Sequence, residues 1–177
     1  MKKFLLALGA AVMILAVSCK DDKNKNDNEK PEVPEAPTEV QSQEYIEARI
    51  NDIYTDALGS GEDVDKKYCT PEFLELQDKV YNKENQTGYL YIDHDHWLMA
   101  QDAHNPSFLF EKAEDINAHT AVAYVKVKAF DDQENYDRVK LILKYNGEDW
   151  MVDDIEEEFE GVFYSQRKIY EEALAEK

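Results

Sequence analysis

The sequence predicts an α+β fold, with N-terminal helices packed on a curved antiparallel sheet and a helix at the C-terminus. Apolar residues recur at helical spacing up to residue 88, and they alternate with a period of two from Phe108 to Ile155. Helical spacing then returns towards the C-terminus. Because the helical segments come before and after the alternating run, this order favours helices that cover one face of the sheet.

The first two helices have defined ends. The first begins near Ser42 and ends at Gly59, with apolar residues at helical spacing between them. The second has Thr70 as its N-cap and Pro71 at the first helical position. A threonine oxygen accepts from a free N–H of the first turn, and proline lacks the N–H that would be unpaired there. The helical pattern ends at Gly88.

The sheet is predicted from alternating segments that begin at Phe108. Residues 120–130 place alanine and valine on one face and lysine on the other, and residues 136–145 continue the alternation. Asn146-Gly147 is the strongest hairpin signal of the chain, and residues 150–155 are expected to return as the next strand.

The C-terminal segment is predicted to be helical from Gly161 onwards, with apolar residues at Val162, Ile169, Tyr170, Ala173 and Leu174. The acids from Glu156 to Glu160 come directly before it. We expect them at the helix N-terminus, where negative charge is favourable.

The first 22 residues contain the parts of a secretory signal. Lys2 and Lys3 precede an apolar run from Phe4 to Val17, which is too short for a stable membrane span. Ser18, a small residue, stands directly before Cys19. This order resembles the lipobox of bacterial lipoproteins, except that Ala16 stands where that motif usually has leucine.

The lipobox resemblance implies that residues 1–18 are a signal peptide and that Cys19 carries the lipid anchor. Residues 19–42 are polar and contain three prolines, which predicts a disordered tether in front of a single domain over 43–177. Lys20-Asp21-Asp22 also resembles the export tag of Bacteroidota lipoproteins. It implies an outer-membrane protein exposed on the cell surface, with the periplasmic face as the alternative.

Composition limits the classes of partner. The chain has 39 acidic and 20 basic residues, a net charge of −19, which argues against nucleic acid and against anionic membrane surfaces. The lipid on Cys19 is therefore the expected contact with the membrane. Cys69 is the second of two cysteines, so no disulfide framework is predicted. We expect Cys69 to be a small buried apolar side chain rather than a nucleophile.

Two segments resemble a family of secreted bacterial domains. The first, residues 93–102, contains Ala-Gln-Asp, and the second joins residues 139–145 to 150–155 through a glycine turn followed by tryptophan. Over residues 43–160 the chain is similar to domain of unknown function 3828, whose fold resembles the nuclear-transport-factor-two-like cone. The resemblance implies a cone-like fold with a pocket under the helices. The family has no established activity, so the resemblance bears on the fold more than on function. It points to Asp93, Asp95, Gln101 and Asp102 as candidate pocket or ligand-binding residues.

The same segment is the candidate site because it concentrates histidine and carboxylate. If residues 93–96 are extended, Asp93 and Asp95 point one way and His94 and His96 the other. Histidines two apart on a strand can share a metal ion, with a carboxylate or His104 completing the shell. The carboxylates alone suit a hard cation such as calcium.

Two other roles remain open for these residues. The acids and Gln101 can be hydrogen-bonding groups or caps that organise a loop. Alternatively, Asp95 or Asp102 can serve as a catalytic base beside a tyrosine, as acids do in pocket enzymes of cone folds. Spacing alone does not choose between these roles.

We therefore expect a surface-anchored, non-enzymatic module that binds a small molecule, a glycan or a protein. Trp97 and the Asp93–Asp102 segment would line or rim its pocket. The alternative is a small hydrolase, lyase or isomerase that uses the same acids, and the third hypothesis is capture of a divalent metal. No other cofactor is expected.

The lipid anchor gives the first testable prediction. Cys19→Ala should release the chain from the membrane fraction, because the thiol that would be acylated is gone. Cell fractionation followed by immunoblotting measures this, and Cys69→Ala is the matched control that should stay membrane-bound. Retention of Cys19→Ala in the membrane fraction would refute the lipoprotein prediction.

Overall fold

Helices precede the sheet in the chain, and one helix follows it. The computed structural model describes residues 33–59 and 63–176, so the predicted signal peptide, Cys19 and most of the tether lie outside the described residues. The helices are α1 (Gln43–Leu58), α2 (Val64–Tyr68), α3 (Pro71–Thr87) and α4 (Gln166–Ala175). The strands are β1 (Ser107–Glu114), β2 (Thr120–Lys128), β3 (Asp137–Tyr145), β4 (Trp150–Phe159) and β5 (Val162–Ser165). The predicted α+β class, with its C-terminal helix, is confirmed.

The predicted ends of the first helices are also confirmed. The Ser42 side chain accepts from the backbone N–H of Tyr45 at the start of α1. Thr70 Oγ1 accepts from the backbone N–H of Phe73, with Pro71 at the first position of α3. Gly88 ends α3 with φ of 71°, in the left-handed region that glycine adopts without strain. These ends depend on local residue types, which is why sequence alone located them.

The sheet is a fully antiparallel meander in the order β1-β2-β3-β4-β5. The predicted hairpin joins β3 to β4, where the Asn146 side-chain oxygen accepts from the backbone N–H groups of Glu148 and Asp149. Further along, a bulge in β4 pairs Ile142 with Asp154 but Leu143 with Val152, which leaves Asp153 as an extra residue.

One face of the sheet is covered by helices. α1 packs against β1, while α3 and α4 pack against each other and against β4. The centre of this core is made of large side chains that are fully buried: Trp150, Tyr54, Tyr68, Phe73, Ile46, Ile50, Ile53, Leu141, Leu143 and Ile155. None of the helices among the described residues is long and apolar enough to cross a membrane.

The helix α2 was not predicted, since five residues are too few to show a period. It buries Tyr68 and leads into Cys69, which is buried as predicted. Burial, with a smaller effect of the negative charges of Asp65 and Asp153, raises the pKa of the Cys69 thiol. The thiol is therefore protonated at neutral pH and inert as a nucleophile.

The expectation for the acids before the last helix was wrong. Residues Glu156 to Glu158 lie in β4 and pair with β5, and α4 begins only at Gln166. On this face Glu156 is bound by Lys140 of β3, and Glu158 is bound by Arg138, 3.0 Å away. Cross-strand ion pairs of this kind, which depend on register, replace the expected interaction with a helix N-terminus.

The contacts of the domain begin before residue 43, within the segment that the sequence predicted as tether. The backbone N–H of Ala36 donates to Ala118 O at 2.6 Å, and Ala36 is buried. The carbonyl of Val40 accepts from the indole N–H of Trp150 at 3.0 Å. A buried indole N–H requires an acceptor, and this segment supplies it.

A buried carboxylate joins the helices to the sheet at the β4 bulge. Asp153 Oδ1 accepts from Thr70 Oγ1 at 2.8 Å and from Arg167 Nη2 at 2.7 Å. Asp153 Oδ2 lies 2.8 Å from the ammonium of Lys144. The Arg167 guanidinium also lies over the Phe73 ring, with 5.5 Å from its central carbon to the ring centroid. The first turns of α3 and α4 are thereby tied to one residue of β4.

Removal of this carboxylate should destabilise the fold. Asp153→Ala leaves the Thr70 hydroxyl and the Arg167 guanidinium without their acceptor, which should lower the free energy of unfolding by about 3 kcal/mol. Urea unfolding measures this difference. Asp132→Ala, in an exposed turn, is the control and should change the value by less than about 0.5 kcal/mol. Equal stabilities of the two variants would contradict the prediction.

Candidate functional site

A solvent-open cleft of about 650 Å³ lies between α2, α3 and the segment that follows α3. Ala57 of α1 and Tyr170 of α4 complete its walls. The lining is strongly acidic, with carboxylates at Asp63, Asp65, Asp78, Glu84 and Asp95. Lys66 is the one lysine or arginine among the described lining residues, and it is bound to Asp63 at 2.9 Å.

The α3 wall is a single stripe of the helix. Leu74, Asp78, Tyr81 and Glu84 are three or four residues apart, so they share one face. The ring of Tyr81 is 64% exposed on this face. A large aromatic side chain that is not covered by the protein offers a surface for a ligand.

The opposite wall is a loop held by Asp95. Its Oδ1 accepts from the backbone N–H groups of Trp97 at 2.8 Å and Leu98 at 3.1 Å. Its backbone N–H donates to Ala100 O at 3.0 Å, so the chain turns back at this point. Asp95 is therefore a cap that organises a loop, one of the roles that the sequence left open.

Residues 93–96 are not extended, since the backbone bends at His94 and enters a turn at His96, so the alternating arrangement considered from the sequence does not form. His94 and His96 both line the cleft, yet each one binds a different carboxylate. Residues 33–59 and 63–176 contain no group of three or more His, Cys, Asp or Glu side chains placed to hold a metal ion.

His96 is bound to α2. Its Nε2 lies 3.0 Å from Asp65 Oδ1, and the indole N–H of Trp97 donates to the same oxygen at 2.8 Å. Burial alone would raise the pKa of Asp65, but the hydrogen bond and charge of His96, together with the Trp97 N–H, outweigh it and lower the pKa. Asp65 is therefore ionised at neutral pH.

His94 is bound to the sheet. Its Nε2 lies 2.9 Å from each carboxylate oxygen of Glu157 in β4, and its Nδ1 lies 3.5 Å from Asp93. Burial lowers the pKa of His94, but the hydrogen bonds and charges of Glu157 and Asp93 outweigh that effect and raise it. The fully buried Gln166 donates to Glu157 at 2.6 Å and so holds this carboxylate in place.

Trp97 is placed in the cleft wall by aromatic packing. Its ring meets the fully buried Tyr54 edge to face, with centroids 6.0 Å apart, and Tyr54 stacks on Phe108 of β1 at 5.1 Å. The His96 ring lies edge-on to Trp97 at 5.1 Å. Leu98, the next residue, is buried but does not line the cleft.

The remaining predicted residues are not part of the cleft lining. Gln101 donates to Asp93 at 3.2 Å, and both side chains are exposed. Asp102 is exposed, and His104 is exposed beside Asn105, with 3.3 Å between their side-chain nitrogens. The structure thus brings together four of the predicted residues, His94, Asp95, His96 and Trp97, and does not bring in Asp93, Gln101, Asp102 or His104.

Sequence reasoning missed the partners on the other elements. Asp65 lies on the short α2, and Glu157 lies in the acidic run that was assigned to a helix. Tyr170 was counted only as part of an apolar face. The polar stripe of α3, with Asp78 and Glu84 separated by Tyr81 at helical spacing, was the one signal that could have pointed to the cleft.

Comparison with protein-family models, with curated proteins and with solved structures finds no match to this chain. The resemblance to domain of unknown function 3828 and to the cone fold therefore stays a prediction.

The paired histidine gives a pH-dependent prediction. His94→Gln should lower the free energy of unfolding more at about pH 5.5 than at about pH 8.5. Because the folded-state pKa of His94 is raised, its contribution is fully present below its unfolded value of 6.5 and is lost as the pH rises through the folded value. Urea unfolding at both pH values measures this.

His104→Gln is the matched control, since His104 is exposed and its side chain contacts no carboxylate among the described residues. It should leave the pH dependence of the wild-type protein unchanged. If His94→Gln costs the same stability at both pH values, the pair with Glu157 does not act as described.

Proposed function

We propose that this protein is a non-enzymatic binding module whose ligand occupies the cleft between α2, α3 and the loop of Asp95. The observation that carries the proposal is a solvent-open cleft lined by carboxylates and aromatic rings. Its volume of about 650 Å³ lies within the range of small-molecule sites, roughly 300–1,000 Å³. A small molecule, a glycan or a side chain of a protein partner can fill such a volume.

The state of the ionisable groups supports binding over proton transfer. A general base at neutral pH works best when its pKa is close to neutrality. The pKa of Asp65 is shifted the other way, because the hydrogen bond and charge of His96 and the Trp97 N–H outweigh the effect of burial. Asp65 is therefore a fixed negative charge in the wall of the cleft, which suits recognition.

One observation favours the alternative of a small pocket enzyme. Asp65 and His96 form a carboxylate–imidazole pair beside an open cleft, and pairs of this kind orient an imidazole for acid–base chemistry. If the protein is a hydrolase, lyase or isomerase, this pair is the expected centre. The acids that the sequence singled out, apart from Asp95, lie outside the cleft.

A divalent metal is a third candidate for the cleft. His94 now contacts Glu157, and His96 contacts Asp65. A metal bound by both histidines would have to displace these two carboxylates. The metal would thus compete with two existing ion pairs. Zinc and calcium therefore belong in the ligand panel used below.

The proposed setting is the bacterial outer membrane. The lipid on Cys19 would hold the protein at the membrane, and the polar residues that follow it would place the cleft in the surrounding solvent. Exposure at the cell surface is the preferred arrangement, with the periplasmic face as its alternative. The strong negative charge of the chain supports a soluble ligand or protein partner over nucleic acid.

The two tryptophans allow a direct test by NMR. The indole N–H of Trp97 donates to Asp65 in the cleft, whereas that of Trp150 donates to Val40 in the core. A ligand of the cleft should shift the Trp97 indole resonance saturably and leave the Trp150 resonance in place. The panel contains diamines, sugars, dicarboxylates, short capped peptides, zinc and calcium, and Trp97→Phe assigns the two peaks.

If no compound in the panel at about 10 mM shifts the Trp97 resonance, the proposed function is wrong, because even a weak site would be largely occupied at that concentration. The spectrum of each bound compound is also followed over a day. An unchanged spectrum supports a binding module, whereas the appearance of a product would favour the enzyme alternative.

A further inference from the structure

The Tyr170 hydroxyl in the cleft has no hydrogen-bond partner among the described residues. Tyr170 of α4 is 8% exposed as a whole and lines the cleft. Among the described residues, the fully buried side-chain polar atoms without a partner are Tyr54 Oη and Gln166 Oε1, so the Tyr170 oxygen keeps contact with solvent. Because no protein group occupies it, this oxygen is available to a ligand in the cleft.

Carboxylates from three elements surround this tyrosine. After burial, the charges of Glu84 on α3, Asp65 on α2 and Glu157 on β4 raise its pKa. The hydroxyl is therefore protonated at neutral pH, and its oxygen can accept a hydrogen bond from a positively charged donor. A neutral oxygen close to several negative charges is a favourable place for a cation.

The basic side chains of the cleft already have carboxylate partners, and they leave other carboxylates of the lining unpaired. Lys66 is bound to Asp63, His96 to Asp65 and His94 to Glu157. Asp78 has no hydrogen-bonded or ion-pair partner among the described side chains, and Glu84 accepts a bond from the backbone N–H of Tyr91. An incoming cation would therefore find free carboxylate oxygens on the α3 wall.

Aromatic rings lie beside these carboxylates. Tyr81 is largely exposed, and the rings of Trp97 and Tyr170 are also part of the lining. Ring faces attract organic cations such as ammonium and guanidinium groups. A calcium ion instead requires several oxygen ligands at about 2.3–2.6 Å around one point, and this lining is spread over a much larger cleft.

We propose, on the basis of the proposed function, that the ligand of this cleft is an organic cation. An alkylammonium or guanidinium group donates to the Tyr170 oxygen and is balanced by Asp78 and Glu84. The carbon chain of the ligand lies against the rings of Tyr81 and Trp97. Such a group occurs both in free amines and in lysine or arginine side chains, so the test includes both sources.

The probes are cadaverine, agmatine and a capped Gly-Lys-Gly peptide, each titrated into the full chain and measured by isothermal titration calorimetry. Pentane-1,5-diol and the same peptide with an acetylated lysine have matching shapes without the charge. The cations should bind saturably, and the neutral analogues should bind at least about tenfold more weakly, since a hydrogen bond to a charged group is lost. Tighter binding of the peptide than of cadaverine would identify a protein source, and the reverse would identify a free amine.

Two substitutions connect binding to the cleft. Tyr170→Phe removes only the hydroxyl and should weaken binding about tenfold. Asp78→Asn removes one free charge and should weaken it about threefold. The matched controls are Tyr164→Phe and Glu47→Gln, which make the same changes at exposed positions outside the cleft and should stay within about twofold of the wild type.

The controls separate the cleft from the general acidity of the chain. If Glu47→Gln weakens binding as much as Asp78→Asn, the cations bind the surface charge and the proposal is wrong. It is also wrong if none of the cations binds at about 10 mM. If the Trp97 resonance then responds to a neutral or anionic compound, the cleft is still a binding site and only the organic-cation ligand is refuted.

Discussion

The buried carboxylate of Asp153 is the interaction on which the arrangement of the helices depends. A bulge in β4 turns this residue into the protein, where it accepts from Thr70 at the start of α3 and from Arg167 at the start of α4. A carboxylate that is out of water is tolerated only when it is paired and hydrogen-bonded. The need to pair this carboxylate sets the positions of α3 and α4 on the sheet. These two helices contribute Asp78 and Tyr170, respectively, to the walls of the cleft.

Two histidine–carboxylate contacts complete one wall of the cleft. The chain between α3 and β1 has no helix and only isolated bridges, so its position depends on side chains. His94 reaches Glu157 in β4, and His96 reaches Asp65 in α2. Glu157 lies four residues beyond Asp153 on the same strand and is held by Gln166, the neighbour of Arg167. Strand β4 and the first residues of α4 thus support both the fold and the loop that completes the cleft.

Predictions from sequence were accurate where the cause is local. The N-cap Thr70, the end of α3 at Gly88 and the hairpin at Asn146 each depend on residues within a few positions, and all three were located correctly. The predictions failed where the pairing register of neighbouring strands determines which side chains meet. The glutamates after Ile155 looked like a helix N-terminus, but Lys140 and Arg138 on the neighbouring strand pair with them. Nothing within the acidic run itself reveals that partner.

The sequence by itself determined the α+β class, the main helix ends, the burial of Cys69 and the position of a segment rich in histidine and carboxylate. It also set the negative charge, which follows from composition. Only the tertiary structure decided which of those polar residues meet. His96 is 31 residues from Asp65 and His94 is 63 residues from Glu157, and separations of this size carry no periodic signal. Packing of α3 and α4 on β4 around Asp153, with α2 packed against α3, brings these partners together, because a buried charge must be satisfied wherever in the chain its partners lie.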